Sequence, residues 1–191
     1  MFAKVACWTI EICSFAIYAT PMTQVDSVEK IYLELTTATY RPVPTDPALS
    51  SSARIVGVPQ PSYESFKAWH NEVGRPFGWH TRRRINNRNL VQSILSDEKV
   101  EMLLFCIADK EIGYSLMFTE NAHQVEISDF GLLPQYTGKG FGSLFLGQLI
   151  DQFWAAGKER IWLSSRSSNH PKVIDFYARF GFRVYDRQLL S

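Results

Sequence analysis

The 191-residue chain is short of net charge, of cysteine and of long apolar runs. Its 20 Lys and Arg against 19 Asp and Glu leave +1. That balance gives no basic footprint for nucleic acid and no cationic face for an acidic membrane. The three cysteines, Cys7, Cys13 and Cys106, form neither a disulfide framework nor a zinc spacing. So sparse a set fits a reducing compartment, and Cys106, inside the apolar run 102–107, reads as a small core thiol. His70, His80 and His123 lack a metal-ligand spacing and read as surface or loop residues, so no metal is expected. With 9 Pro and 11 Gly, collagen-like and low-complexity classes are excluded. The apolar stretch 5–19 is too short to span a bilayer as a helix. It carries Glu11 and has Ile17 where a cleavage site wants a small residue, so it makes a poor signal peptide. The expectation is a cytoplasmic protein without a membrane or nucleic-acid partner. Residues 1–21 are read as an N-terminal extension, with Met1 or Met22 as the start, and 22–191 as a single domain.

What the chain has is apolar bulk, 46% hydrophobic and 14% aromatic, enough for a sizeable core. Residues 22–37 and 54–58 read as strands, joined by a Pro- and Ser-rich connector over 41–53. Phe66, Trp69 and Val73 at i, i+3, i+7 predict a helix from Ser62 to Val73, stopped by Gly74. Leu90, Ile94 and Leu95 mark a second helix. Residues 102–107 and 112–118 read as a hairpin, and 125–133 as a third strand of that group. A helix follows over 138–156, with Phe141, Phe145, Leu149 and Phe153 on one stripe and Gly157 as its stop. Strand 160–164, a helix opened by Pro171 with Val173, Tyr177 and Phe180 inward, and strand 182–185 close the chain. The class is a mixed α/β (α+β) sheet flanked by helices.

The chemistry concentrates between the strand 125–133 and its following helix, in Gln135-Tyr136-Thr137-Gly138-Lys139-Gly140-Phe141-Gly142. Alternating glycines at a helix N-terminus expose backbone N–H groups, a site for phosphate or pyrophosphate. A Walker loop needs Ser or Thr after the lysine, and Lys139 is followed by Gly140. A dinucleotide fingerprint needs its third glycine one residue later and more chain than remains. Arg166, at the end of the next strand, keeps that nucleotide alternative open.

Gln135-x-x-Gly138-x-Gly140 resembles the Q/R-x-x-G-x-G/A acyl-CoA signature of the GNAT N-acetyltransferase superfamily. Phe176-Tyr177-Ala178-Arg179-Phe180-Gly181-Phe182 is similar to its second signature. The resemblance covers residues 100–186 and implies a mostly antiparallel sheet, splayed at the strand pair that receives the acyl-CoA. It implies acetyl-CoA as co-substrate, its pyrophosphate on Gln135, Thr137, Gly138, Lys139, Gly140, Phe141 and Gly142. The pantetheine would lie along Leu132 and Leu133. Phe176 and His170, the latter where many members have Asn, complete the implied cofactor contacts. Trp79 and Arg82 match a Trp and an Arg of one bacterial branch and are the implied acceptor-binding pair. The acceptor would be a small-molecule or peptide amine, and a homodimer is compatible.

Transfer to an amine needs a base, because an alkyl ammonium with a pKa near about 10.4 is not a nucleophile. Glu126 occupies the position of the superfamily's catalytic Glu. Asp129 stands three residues nearer the acetyl group and, by strand alternation, on the opposite face. Tyr177 matches the signature tyrosine that protonates the departing thiolate. The alternative is a non-catalytic acyl-CoA-binding domain of the same fold, acting as a sensor or scaffold.

Overall fold

A computed structural model describes residues 28–77, 79, 83–169 and 172–190, at 83 and 84 the backbone only. The extension 1–21, Cys7, Cys13, His80, Arg82, His170 and Pro171 lie outside these residues. Seven strands form one sheet. They are β1 (Glu29–Thr36), β2 (Ala53–Val58), β3 (Val100–Ile107), β4 (Lys110–Asn121), β5 (Gln124–Leu132), β6 (Arg160–Arg166) and β7 (Arg183–Leu189). The order across the sheet is β2-β3-β4-β5-β6-β1-β7. Every neighbouring pair is antiparallel except β5 and β6, which run parallel. The expected mixed, mostly antiparallel sheet is therefore present. The 41–53 connector contains one helical turn, α1 (Pro47–Ser50), capped by Asp46.

Two cores form because the sheet is covered on both faces. On one face lies α4 (Phe141–Ala155), whose Leu144, Phe145, Leu146, Leu149, Ile150 and Phe153 are buried. Beside it lies α5 (Lys172–Arg179) with Tyr177 buried. They close over Leu33, Leu35, Phe105, Ile127, Ile161 and Leu163. On the other face α2 (Tyr63–Gly74) and α3 (Arg88–Leu95) close over Met102, Leu104, Cys106, Tyr114 and Leu116. Both helices start where short polar side chains can cap them: Ser62 accepts from Ser65 N–H and Asn87 from Leu90 N–H, each at 3.1 Å.

The structure corrects two expectations on this second face. In α2 the inward residue after Phe66 is His70, and Trp69 is only half-buried. His70 is thus a buried helix residue rather than a surface one. Further, Asp129 is not on the face opposite Glu126. Leu116 pairs with Asp129 and Met117 with Ile127, so Ser128 is an extra residue in β5. Such a bulge breaks the two-residue alternation. Asp129 and Glu126 consequently face the same way, opposite Leu116 and Phe118 of β4.

Gly131 permits α2 to lie directly on β5. A β-carbon there would stand 2.4 Å from Val73 Cγ1. Gly131→Ala is expected to lower stability by about 1–3 kcal/mol through overpacking. Gly147→Ala, inside α4 with its nearest neighbour at 3.8 Å, should be neutral or stabilising by up to about 1 kcal/mol. Denaturant unfolding of the two variants checks the contrast; equal effects would mean that the Gly131 contact is not tight.

Candidate active site

The site is built where β5 and β6 part. Their pairing covers only Gln124–Ile127 against Arg160–Leu163. Beyond it, residues 129–132 keep pairing with β4 on one side but have no ladder to β6 on the other. The bulge at Ser128 sits at the fork, which suits its effect of twisting a strand away from its neighbour. Leu132 is buried and Leu133 half-buried at the end of the opened edge.

The chain then turns through Pro134–Tyr136 into the glycine loop. Gly138 and Gly140 have φ of +73° and +85°, left-handed values that glycine adopts freely. A β-carbon at either would meet nothing within 4 Å, so both open onto free space. Gly140 is the N-cap of α4, and no side chain caps this end. The first N–H groups of α4 thus lack intrahelical acceptors and point outward. Thr137 Oγ donates to Pro134 O at 2.8 Å, and Lys139 Nζ donates to Gln135 O, also at 2.8 Å. These bonds hold the loop in a fixed curl with Gln135, Thr137 and Lys139 exposed. Phe176 reaches this region from α5: its ring lies 3.8 Å from where a Gly142 β-carbon would be. It also stacks on Phe130 with centroids 6.2 Å apart.

Tyr177 is buried among Phe130, Phe176 and Phe182, with ring centroids 5.2 to 6.4 Å away. Burial holds its hydroxyl proton well above the ordinary phenol range. Asn169 donates to Ser165 Oγ at 2.9 Å.

Glu126 is half-buried on the α2 face, with Trp162 of β6 as its paired neighbour. Its carboxyl is pushed up to about 7, chiefly by burial. Glu120 and Asp129 add to the rise, whereas Lys30 and a hydrogen bond from Ser128 oppose it. Asp129 is buried, and its Oδ2 accepts from the Tyr114 hydroxyl at 2.9 Å. His70 Nδ1 lies 3.1 Å from the same oxygen. Trp79 is not on either helix but in the segment between α2 and α3. Its ring covers His70 at 5.4 Å, and Gly74 leaves it room, since a β-carbon there would come within 2.3 Å of Trp79. Sequence reasoning missed His70 and Tyr114. The available signal was the i, i+4, i+7 spacing of Phe66, His70 and Val73, which puts the imidazole on the buried stripe.

Among the described residues no helix is long and apolar enough to cross a membrane. Residues 61–182 match the family model described as the acetyltransferase (GNAT) family. A ribosomal-protein alanine N-acetyltransferase from Haemophilus influenzae is 35% identical over 75 residues, 39% of this chain and 49% of that protein. An uncharacterised N-acetyltransferase from Mycobacterium bovis is 29% identical over 73 residues, 38% of this chain and 46% of that protein. The chain thus spans about half the length of these curated relatives. Among solved structures, an N-acetyltransferase from Sphaerobacter thermophilus superposes with a TM-score of 0.60 at 20% identity, covering 85% of this chain and 50% of that one. A GNAT acetyltransferase from Elizabethkingia anophelis with acetyl-CoA bound gives 0.54 at 13% identity, covering 71% and 78%. At these identities the likeness is one of fold.

The Glu126 environment makes a direct expectation. Observed by carbon NMR, its carboxyl should titrate near 7 rather than near 4.5. Lys30→Met should raise that midpoint and Asp129→Asn should lower it. Because the folded state holds this proton more tightly than the unfolded chain, Glu126 makes stability fall as pH rises from about 4.5 to about 7. Glu126→Gln should remove that slope from the unfolding free energy.

Proposed function

The chain belongs to the GNAT acetyltransferase family, and we propose that it transfers the acetyl group of acetyl-CoA to a primary amine by direct attack, with Glu126 as the base. The observation that carries this reading is the half-buried Glu126 carboxyl beside the fork of β5 and β6, which burial pushes up to about 7. A base poised near neutrality combines availability with driving force for taking a proton. When bound, acetyl-CoA supplies an electrophilic thioester carbonyl and a thiol leaving group.

The residues present fit that co-substrate. Two left-handed glycines open onto free space, and the uncapped N-terminus of α4 suits a pyrophosphate on the N–H groups of Thr137 to Gly142. The unpaired edge of β5 at Leu132 and Leu133 can exchange backbone hydrogen bonds with the pantetheine amides, as an added strand would. Phe176 flanks the loop. Glu126 takes the proton of the acceptor's ammonium, directly or through one water, and frees the lone pair for attack. Tyr177 keeps its own proton at every working pH, because burial raises it, and donates it to the departing sulfur. Trp79 and Arg82 are the proposed acceptor-binding pair. The Haemophilus relative's name makes a peptide amine a first choice of acceptor, with small amines as the second. The setting proposed is cytoplasmic, with a homodimer as an open arrangement.

The test is a panel of peptide and small amines screened for thiol release with the whole chain. Activity should rise with pH through about 7 as Glu126 ionises. Glu126→Gln should cost about 10²–10⁴-fold between that pH and the amine's own pKa. The gap should close above it, where the amine is already free. Tyr177→Phe should fold and turn over slowly. Gly140→Val should fold yet lose acetyl-CoA affinity in calorimetry, since its β-carbon would enter the phosphate space. Binding of acetyl-CoA without turnover of any amine would favour the sensor or scaffold reading instead.

A further inference from the structure

Asp129 and Glu126 share a face, yet their surroundings differ. Glu126 is desolvated, and among its influences the proton-releasing ones are Lys30 and Ser128. Asp129 has two donors converging on one oxygen, the Tyr114 hydroxyl at 2.9 Å and His70 Nδ1 at 3.1 Å. The proton is assigned to Nδ1, which then donates to Asp129, since a carboxylate cannot donate. His70 Nε2 is then the lone-pair nitrogen. It is buried, with no partner among the described residues, packed by Phe66 and Trp79. A proton there would be a buried donor without an acceptor, which is costly. Hydrogen bonds to the ionised form of a carboxyl favour that form.

We propose that His70 is a positioning residue: with Tyr114 it fixes the Asp129 carboxylate as the anion that receives the acceptor's ammonium, while Glu126 takes the proton. The proposal rests on the acyl-transfer reading above. Asp129 stands just beyond the fork, three residues before Leu132, on the same face as Glu126. The ligand class is an alkyl ammonium, from a small amine or a peptide N-terminus. Other charges near His70 are engaged elsewhere. On its own helix Lys67 donates to the Tyr63 hydroxyl at 3.1 Å, and Arg75 pairs with Glu72, also at 3.1 Å. From β4 only Tyr114 and from β5 only Asp129 present titratable groups to its ring among the described residues.

The test compares His70→Leu and His70→Asn, since the Asn amide can restore the donated hydrogen bond. Acceptors are a primary alkyl amine, a short peptide and an aryl amine that is uncharged at neutral pH. His70→Leu should raise KM for the two cationic acceptors about tenfold to a hundredfold. It should leave the aryl amine's KM, the acid limb set by Glu126 and the acetyl-CoA Kd unchanged. His70→Asn should recover most of the loss. Tyr114→Phe, which keeps the ring in the core, should give the same split even where His70→Leu fails to fold. Equal losses for charged and uncharged acceptors, or no recovery with Asn, would overturn the assignment. Nitrogen NMR of histidine-labelled resting protein decides the underlying geometry without any acceptor. An Nδ1-protonated His70 is expected, and an Nε2-protonated one refutes the proposal even if no amine proves to be a substrate.

Discussion

One extra residue in one strand sets up the candidate site. Ser128 has no counterpart in β4, so β5 kinks between Ile127 and Asp129. Everything upstream pairs on both sides, and everything downstream pairs on one. The kink also resets which side chains point where. Ile127 and Phe130 both join the core under α4, while Glu126 and Asp129 are left together on the α2 face. A regular strand would have separated the two carboxyls across the sheet and given neither the other's field.

Packing then holds the opened strand in place. Gly131 lets Val73 seat against the backbone of β5, and Gly113 does the same for Leu132 from the other side, where a β-carbon would come within 2.6 Å. With such close approaches the α2 helix and the fork behave as a unit, because dense interiors transmit displacement rather than absorb it. His70, one turn before Gly74 on that helix, adds a polar tie to the same strand. The α4 face contributes differently: Phe105, Phe130 and Phe145 stack within 4.6 to 4.9 Å, anchoring the helix whose N-terminus frames the glycine loop.

Most of the elements were legible from periodicity and punctuation. Ser62 and Gly157 marked helix ends that the structure keeps, the helix expected over 138–156 starts at Phe141 after its Gly140 N-cap, and the 102–118 hairpin is present with a longer second strand. The glycine loop and the Phe176–Phe182 run carried the family, because both are local patterns read over a few consecutive residues. The bulge was not legible. Gly131 serves the α2 contact, and the inserted residue is an ordinary serine whose extra place in β5 shows only against its neighbour strand. The face assignment of Asp129 failed for that reason alone. His70 was missed because a lone histidine carries no motif; only its place on the helix stripe and the strand opposite make it part of a network.

The parallel seam between β5 and β6 is four residue pairs long. It joins a four-stranded plate, β2 to β5, to a three-stranded one, β6-β1-β7. Near that seam the plates are also tied by Lys158 Nζ donating to Asn121 O and Arg160 donating to Gln124 Oε1, each at 3.0 Å, at the end away from the notch. The notch beyond the seam is therefore a missing rung set in an otherwise continuous ladder. A molecule that lies in it with amides at the strand repeat stitches the two plates into one sheet. Its binding would then show as whole-molecule cohesion, with slower amide exchange on both plates at once, far from any atom it touches.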